Sequence, residues 1–448
     1  MEGIKKGLWW LFWFCLWPGL LKAETLTLSK IYEWALSRHP LIRAAEAEVE
    51  AAKAGVREAK GAFLPRIDLR ELYARTDSPP QVFSYKLAQR NFEPEDFLID
   101  RLNHPADYPN WKTQLVITQP LFNQGREIIG YRKAVVALSQ AKDYLQAVRQ
   151  RVLFEAESAY LSLRLAQKRV EVLEKAVRTA RENLRVAKRR YASGQALKSD
   201  LLEARVFLSR QEKELETARH ELEVGTSALN LALGFPLETR WEISAEDLRV
   251  PKDIKPLEYW LNLALKKRPD LRIVRHRKRL SELDLKQARY RFLPSLNLKG
   301  IYEKNSEDPL GGGADGESYL FLAELEFNLF KGFRDQARVA KARAKLLSEK
   351  EKLRQYQREV EHQVREAYSR LLTARRQVRV LEKAVAQAEE GLRIIRKRYE
   401  AGLSLLVELQ EAETALKRAR LMLLEALYGE RQAFSRLRYV SGTIGGSP

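Results

Sequence analysis

Two stretches of the chain carry apolar residues in steps of three and four over some 65 to 70 residues without a proline. In the first the seam reads Val170, Leu173, Val177, Ala180, Leu184, Ala187, Tyr191, and in the second Val378, Leu381, Val385, Ala388, Leu392, Ile395, Tyr399. A seven-residue period held this long predicts a left-handed coiled-coil seam. At 1.5 Å per residue each helix runs for roughly 100 Å. Gly194 and Gly402 stop them, as glycine does at the position after a helix end. A second helix follows each within a few residues, carrying Leu201, Ala204, Leu208, Leu215, Ala218, Leu222 or Leu409, Ala412, Leu416, Ala419, Leu423, Ala426. So short a turn makes the two helices antiparallel neighbours, and alternating Leu and Ala suits close packing between them.

A second period, of two, appears upstream of each long helix. Pro65 and Pro294 each close a helical pattern, because proline disfavours helix at the residue before it. Beyond them Ile67, Leu69 and Tyr73 share one face, as do Leu296, Leu298 and Tyr302. After an intervening loop the alternation resumes in Trp111, Leu115, Ile117 and in Tyr319, Phe321, Leu325, Phe327, while Gln114, Thr118, Glu324 and Glu326 point the other way. Two strand hairpins of membrane-crossing length follow, since a tilted membrane strand needs about 9–11 residues. A half-buried hairpin of a soluble protein has the same pattern.

The two stretches are copies. VLEKAV stands at residues 172–177 and again at 380–385, with Ala159-Tyr160, Tyr191 and Gly194 matched at the same spacing of 208 by Ala367-Tyr368, Tyr399 and Gly402. Upstream the spacing is 229, pairing Pro40 with Pro269, Pro65 with Pro294 and Tyr73 with Tyr302. The first copy therefore holds 21 extra residues, assigned to the Pro-, Asp- and Asn-rich segment 76–110, a loop by composition. The predicted organisation is a signal peptide over 1–23 and a first repeat over 24–240, with its strand hairpin at 66–119 and helical hairpin at 125–233. A second repeat covers 241–440, with hairpins at 295–328 and 332–440, before a short tail at 441–448. Sequences PLFNQG and NLFKG read as the turns into the long helices.

The signal peptide rests on Lys5 and Lys6, the apolar run LWWLFWFCLW at residues 8–17 and a small residue, Ala23, at the cleavage point. The run is too short to span a bilayer as a helix. It contains the only cysteine, Cys15, so neither disulfide nor thiolate chemistry is expected of the mature chain. Past it no stretch of 18 apolar residues occurs, so any crossing of a membrane is made by strands. The formal net charge is +20, which fits nucleic acid, an anionic surface or a solvated helical protein alike. The basic clusters RVAKRRY and IIRKRY lie in the last turns of the long helices, where the helix dipole favours cations, and no nucleic-acid partner is expected. Abundant Lys and Glu, with one Cys and two Met, suggest adaptation to heat.

Catalytic patterns are missing. The five histidines, His39, His104, His220, His276 and His362, are scattered; there is no HExxH, no phosphate loop and no strand followed by GxGxxG. GGGADG at residues 311–316 reads as a flexible turn. Neither an enzyme, a cofactor nor a metal is expected.

Taken in order, helix, Leu-Pro, strand, loop, strand, Leu-Phe-x-x-Gly or Leu-Phe-x-Gly, long helix, Tyr-x-x-Gly and returning helix, all duplicated, the chain resembles the TolC-like outer-membrane efflux proteins. The fold class is then mainly α with β, long coiled-coil helical hairpins plus four strands per chain. The resemblance implies a homotrimer whose strands close a twelve-stranded β-barrel in outer-membrane lipid and whose helices form a periplasmic α-barrel. It also implies a periplasmic adaptor and an inner-membrane pump as partners, and the role of passive exit duct for efflux or type I secretion. Gln114, Thr118, Glu324 and Glu326 would then line the barrel lumen. In such proteins the turn between the coiled-coil helices forms the periplasmic tip, where acids after Tyr-x-x-Gly narrow the opening. Here the turns are Tyr191 with Gly194 and Tyr399 with Gly402, and the acids are Asp200, Glu203, Glu408 and Glu411. Those acids also suit a helix's first turn, Asp200 with Glu203 reading as a capping box. The competing function is an extended coiled-coil envelope protein, an adaptor or structural binder, without a pore.

Overall fold

The computed structural model describes residues 25–243, 250–312 and 316–445. The signal peptide expected over 1–23 lies outside them. The first repeat folds as β1 (Thr25–Leu26), α1 (Leu28–Arg38), α2 (Pro40–Gly61), β2 (Arg66–Thr76), α3 (Pro79–Ala88), α4 (Ile99–Asn103), β3 (Tyr108–Asn123), α5 (Arg126–Ala192) and α6 (Lys198–Leu233). The second gives β4 (Glu242–Ile243), α7 (Leu257–Lys267), α8 (Pro269–Tyr290), β5 (Ser295–Ser306), β6 (Gly316–Glu326), α9 (Arg334–Glu400) and α10 (Leu406–Val440). Counterparts match in length: α1 and α7 have 11 residues, α2 and α8 have 22, and α5 and α9 have 67. The duplication is thus structural as well as textual. Pro40 and Pro269 stand at the first position of α2 and α8, where the missing N–H is no loss and the preceding residue is extended.

The chain forms two compact units, and the repeats do not coincide with them. One unit takes Arg43–Val148 and Leu265–His362, and the other takes the chain up to Ile42, Arg149–Ala264 and from Gln363 onward. The first contains a four-stranded antiparallel sheet in the order β2-β3-β5-β6. Leu285 and Ala288 of α8 pack there on Ala342, Val339 and Leu346 of α9. The motif PLFNQG is not all turn. β3 continues through Pro120, paired with Asn297, and a bulge between Pro120 and Phe122 carries it to Asn123. Proline is tolerated at such a break in the ladder; the turn is confined to Gln124 and Gly125, both at positive φ. Residues 76–110 are likewise more than an irregular loop, since α3, a 3-10 turn at Pro94–Phe97 and α4 fold there. Val82 is buried, Phe92 stands 4.9 Å from Phe83 and 5.2 Å from Phe97 between ring centroids, and Lys86 pairs with Asp96 at 2.6 Å.

In the other unit the helical hairpins supply the core. Val170, Leu173 and Val177 of α5 close on Leu215 and Ala218 of α6, with Leu421 of α10 against them. Leu392 of α9 meets Leu409 and Leu416 of α10, flanked by Val385, Ala388, Ile395 and Ala412. Apart from Leu421 these are the seam residues of the heptad pattern. At Gly225 an added Cβ would stand 3.5 Å from Leu163, so α5 and α6 are in van der Waals contact there. Two short features anchor the unit: β1 pairs in parallel with β4, and Trp34, Phe235 and Trp241 cluster with centroids 5.0–5.4 Å apart. Glu157 of α5 is fully buried, accepts the Tyr32 hydroxyl of α1 at 2.5 Å and faces Arg431 of α10 at 3.4 Å. Burial beside this carboxylate pushes the Tyr32 phenol far above its ordinary range. Among the described residues no helix is long and apolar enough to cross a membrane.

Candidate functional site

The sheet has two unlike faces, fixed by register. Ile67, Ile117 and Gly300 lie opposite one another, as do Leu69, Leu115 and Tyr302, and Tyr302 in turn faces Tyr319. With Tyr73, Trp111, Phe321 and Leu325 they form one apolar face, and it is bare: Ile67 is 63 %, Leu69 69 %, Tyr319 88 % and Phe321 69 % exposed. Apolar side chains left this open on a sheet require something other than water to cover them. The opposite face is largely polar, with Leu72, Val116, Ile301, Leu320 and Leu322 set among its polar residues. Gln114 sits between Arg70 and Glu303 and donates to Glu303 at 2.7 Å; Thr118 sits between Arg66 and Lys299; Glu324 faces Asn297 and Glu326 faces Ser295. All four residues picked from the alternation share this face, with Glu303 and Lys112 ion-paired among them at 3.0 Å. β2 and β6 are the sheet's edges.

The helical turns are built alike. Gly194 and Gly402 have φ of +72° and +76°, a left-handed conformation that residues with a Cβ rarely adopt. Their N–H groups donate to the carbonyls of Tyr191 and Tyr399, and the next N–H groups to those of Arg190 and Arg398, closing both helix ends. Ala187, Ala204 and Leu406 pack the hairpins together beside Leu184 and Tyr399, and Arg190 lies 4.5 Å over the Tyr399 ring. Tyr191 has diverged from its copy, being 43 % exposed. The acids stay with their own helices. Asp200 accepts the Leu197 N–H at 3.2 Å and Glu408 accepts the Ser404 hydroxyl, both in the first turn, whereas Glu203 and Glu411 are exposed further along. The capping box read as Asp200 with Glu203 is therefore made by Asp200 with the backbone of Leu197, because α6 starts at Lys198 and Asp200 is its third residue.

One acid near the tip escaped the sequence reading. Glu413 of α10 has its side chain 9 % exposed, accepts from Asn183 of α5 at 2.8 Å and finds Arg396 of α9 at 3.6 Å. Its only sequence signal was a place beside the seam residue Ala412, where carboxylates are ordinary in coiled coils. Burial raises its carboxyl above the usual range, against the pull of Arg396. A group protonated more readily in the folded than in the unfolded chain contributes stability that is full in acid and falls as pH rises through the folded value. Glu413→Gln, which keeps an acceptor for Asn183 and removes the charge, is therefore expected to melt about as the wild type at pH 4 and above it at pH 7.5. A lower melting temperature at pH 7.5 would mean that the Arg396 pair outweighs burial.

The family model described as outer membrane efflux protein matches residues 31–235 and 260–443. The alkaline protease secretion protein AprF of Pseudomonas aeruginosa is 27% identical over 95% of this chain and 86% of its own length. The outer membrane protein OprJ of the same organism is 24% identical over 84% of this chain and 75% of its own. The solved outer membrane protein VceC of Vibrio cholerae superposes with a TM-score of 0.77 at 17% identity, covering 94% of this chain and 96% of that one. The structural likeness establishes the fold. The family is one of transport channels rather than enzymes, and its match extends through both copies of the strand hairpin and of the helical hairpin. The chain belongs to the outer membrane efflux protein family.

Proposed function

We propose that three copies of this chain form an outer-membrane channel-tunnel, the passive exit duct of an efflux or type I secretion system. The observation that carries this is the four-stranded sheet, apolar and exposed on one face, largely polar on the other, with β2 and β6 at its edges. Lipid does not admit open edges, so β6 of one copy pairs with β2 of the next until the barrel closes. Three copies give twelve strands, with the apolar face toward lipid and Gln114, Thr118, Glu324 and Glu326 toward the lumen. The number three follows the TolC-like resemblance. In this reading the helices stand in the periplasm, an adaptor grips them, and an inner-membrane pump delivers cargo to the tip. Asp200, Glu203, Glu408 and Glu411 narrow that tip. The matched relatives serve both classes of cargo by name, protease secretion in AprF and cation efflux in CusC of Escherichia coli. An envelope coiled coil without a pore has no use for membrane-length strands with a bare apolar face.

Purified protein added to a planar bilayer is expected to give discrete current steps, and its detergent complex the mass of a trimer. A monomer without current and without membrane association would sink the reading.

A further inference from the structure

We propose that the segment between β2 and β3, residues 77–107, is a fixed lid over the outer mouth of the barrel, so that the lid sets the largest cargo able to leave. The inference rests on the channel reading above.

The segment chooses a face. Asn110 of β3 and Asn305 of β5 stand on the polar face of the sheet, in the same alternation as Gln114 and Glu303, yet each is only 2 % exposed. What covers them is the end of α3. Gln89, itself 5 % exposed, donates from its amide to Asn110 Oδ1 at 2.9 Å and to the Pro109 carbonyl at 3.0 Å, and Asn110 donates on to Asn305 at 3.0 Å. The Tyr108 hydroxyl lies 2.7 Å from Gln89 Oε1 and from Glu307 Oε1, and Asn91 donates to both Tyr108 and Glu307. Gly316 gives the same direction independently. It pairs with Asn305, so its missing side chain would project from the polar face, and there an added Cβ would stand 2.5 Å from the Ala88 carbonyl and 2.9 Å from Gln89 Cα. The backbone of the segment thus occupies the space a side chain would take on that face.

A loop that only joined two strands would leave the polar face to water. This one has its own core and buries polar groups that are satisfied by one another, which specifies a single docked position. The apolar face, by contrast, is met at that end only by the 309–311 turn, where the Leu310 N–H donates to Glu71 and Gly311 lies against Lys304, and its Ile67, Leu69, Tyr319 and Phe321 stay exposed. In a closed barrel the polar face is the wall of the lumen. β2 and β5 end, and β3 and β6 begin, at the end of the sheet opposite the four junctions with helices, so the docked segment covers the end remote from the helices. Three copies around one axis narrow that mouth from three sides.

The test compares wild type with two variants in planar bilayers: residues 79–106 replaced by a short Gly-Ser linker, and Gln89→Ala combined with Asn91→Ala, which cuts the anchor without touching a strand. Single-channel conductance is measured together with the largest neutral polyethylene glycol that still enters from the outer side. Both variants are expected to conduct more than wild type and to admit larger polymers, the deletion by more. Channels of unchanged conductance and unchanged polymer limit in both variants would overturn the lid while leaving the channel intact. Absence of current from wild type and variants alike would instead remove the channel reading beneath it.

Discussion

Replacing Glu408 and Glu411 together by alanine is expected to raise single-channel conductance and to weaken cation preference and block by divalent cations. Three copies of each around one axis would set a ring of negative charge, which concentrates cations and repels anions as acidic rings do in cation channels. The surrounding charge sharpens the expectation. The last turns of α5 and α9 carry Arg189, Arg190, Lys397 and Arg398 against the acid Glu400, so the acids at the start of α6 and α10 supply much of the negative charge at these turns. Removing two acids per chain should therefore move selectivity toward anions rather than merely to neutrality. The capping role predicts another outcome: a loss of about 0.3–1 kcal/mol per first-turn carboxylate, with no change in current. Glu408, held by Ser404 in the first turn, is open to both roles; Glu411, exposed beyond that turn, would act through such a ring alone. Recordings of the two single variants beside the double, with a melting curve for each, separate them. Unchanged selectivity in all three with lower melting temperatures would reduce these acids to helix caps.

Glu157→Ala is expected to be among the most damaging single substitutions in the helical unit, costing about 3–5 kcal/mol, the usual consequence of removing one partner of a buried pair. The loss is compound. Arg431, whose side chain is 13 % exposed, would keep its charge without a counter-ion, and the Tyr32 hydroxyl would lose its acceptor. The site also joins three helices, α1, α5 and α10, that are far apart in the sequence. Tyr32→Phe should cost less, roughly 1–3 kcal/mol, since it removes one hydrogen bond and leaves the ion pair. Urea or thermal unfolding of the two variants gives the order. Equal and small losses would mean that water takes the place of the carboxylate.

What was legible in the sequence is what repeats locally. The heptad positions became the packed seams, and Gly194 and Gly402 took the left-handed closures expected of them. Alternation after Pro65 and Pro294 became four strands whose faces divide as the pattern says. What was not legible depends on partners remote in sequence. Gln89, Asn110 and Asn305 are ordinary surface residue types, and nothing local says that they stack into a buried ladder. Pro120 argued for a turn, because its missing N–H is visible in the sequence while the bulge that accommodates it is not. β1 and β4 are two residues each, too short for a period to show, and their parallel pairing joins the start of one repeat to the start of the other beside the fully buried Leu26. Glu413 looked like any coiled-coil carboxylate until Asn183 and Arg396 were seen around it.

The matched lengths of the copied long helices constrain how such a protein can change its reach. α5 and α9 have 67 residues each, and α6 and α10 have 36 and 35. One residue inserted into any of them turns every later side chain by about 100° and advances it by 1.5 Å, taking Leu and Ala out of the seam. Seven residues restore the facing and add about 10.5 Å. Even then the partner helix of the hairpin, and the matching hairpin of the other repeat, would have to grow by the same heptad for the two turns to stay level. Length in this architecture therefore changes in whole heptads and in four helices at once, so a longer or shorter relative should differ from this chain by multiples of seven placed at four corresponding positions.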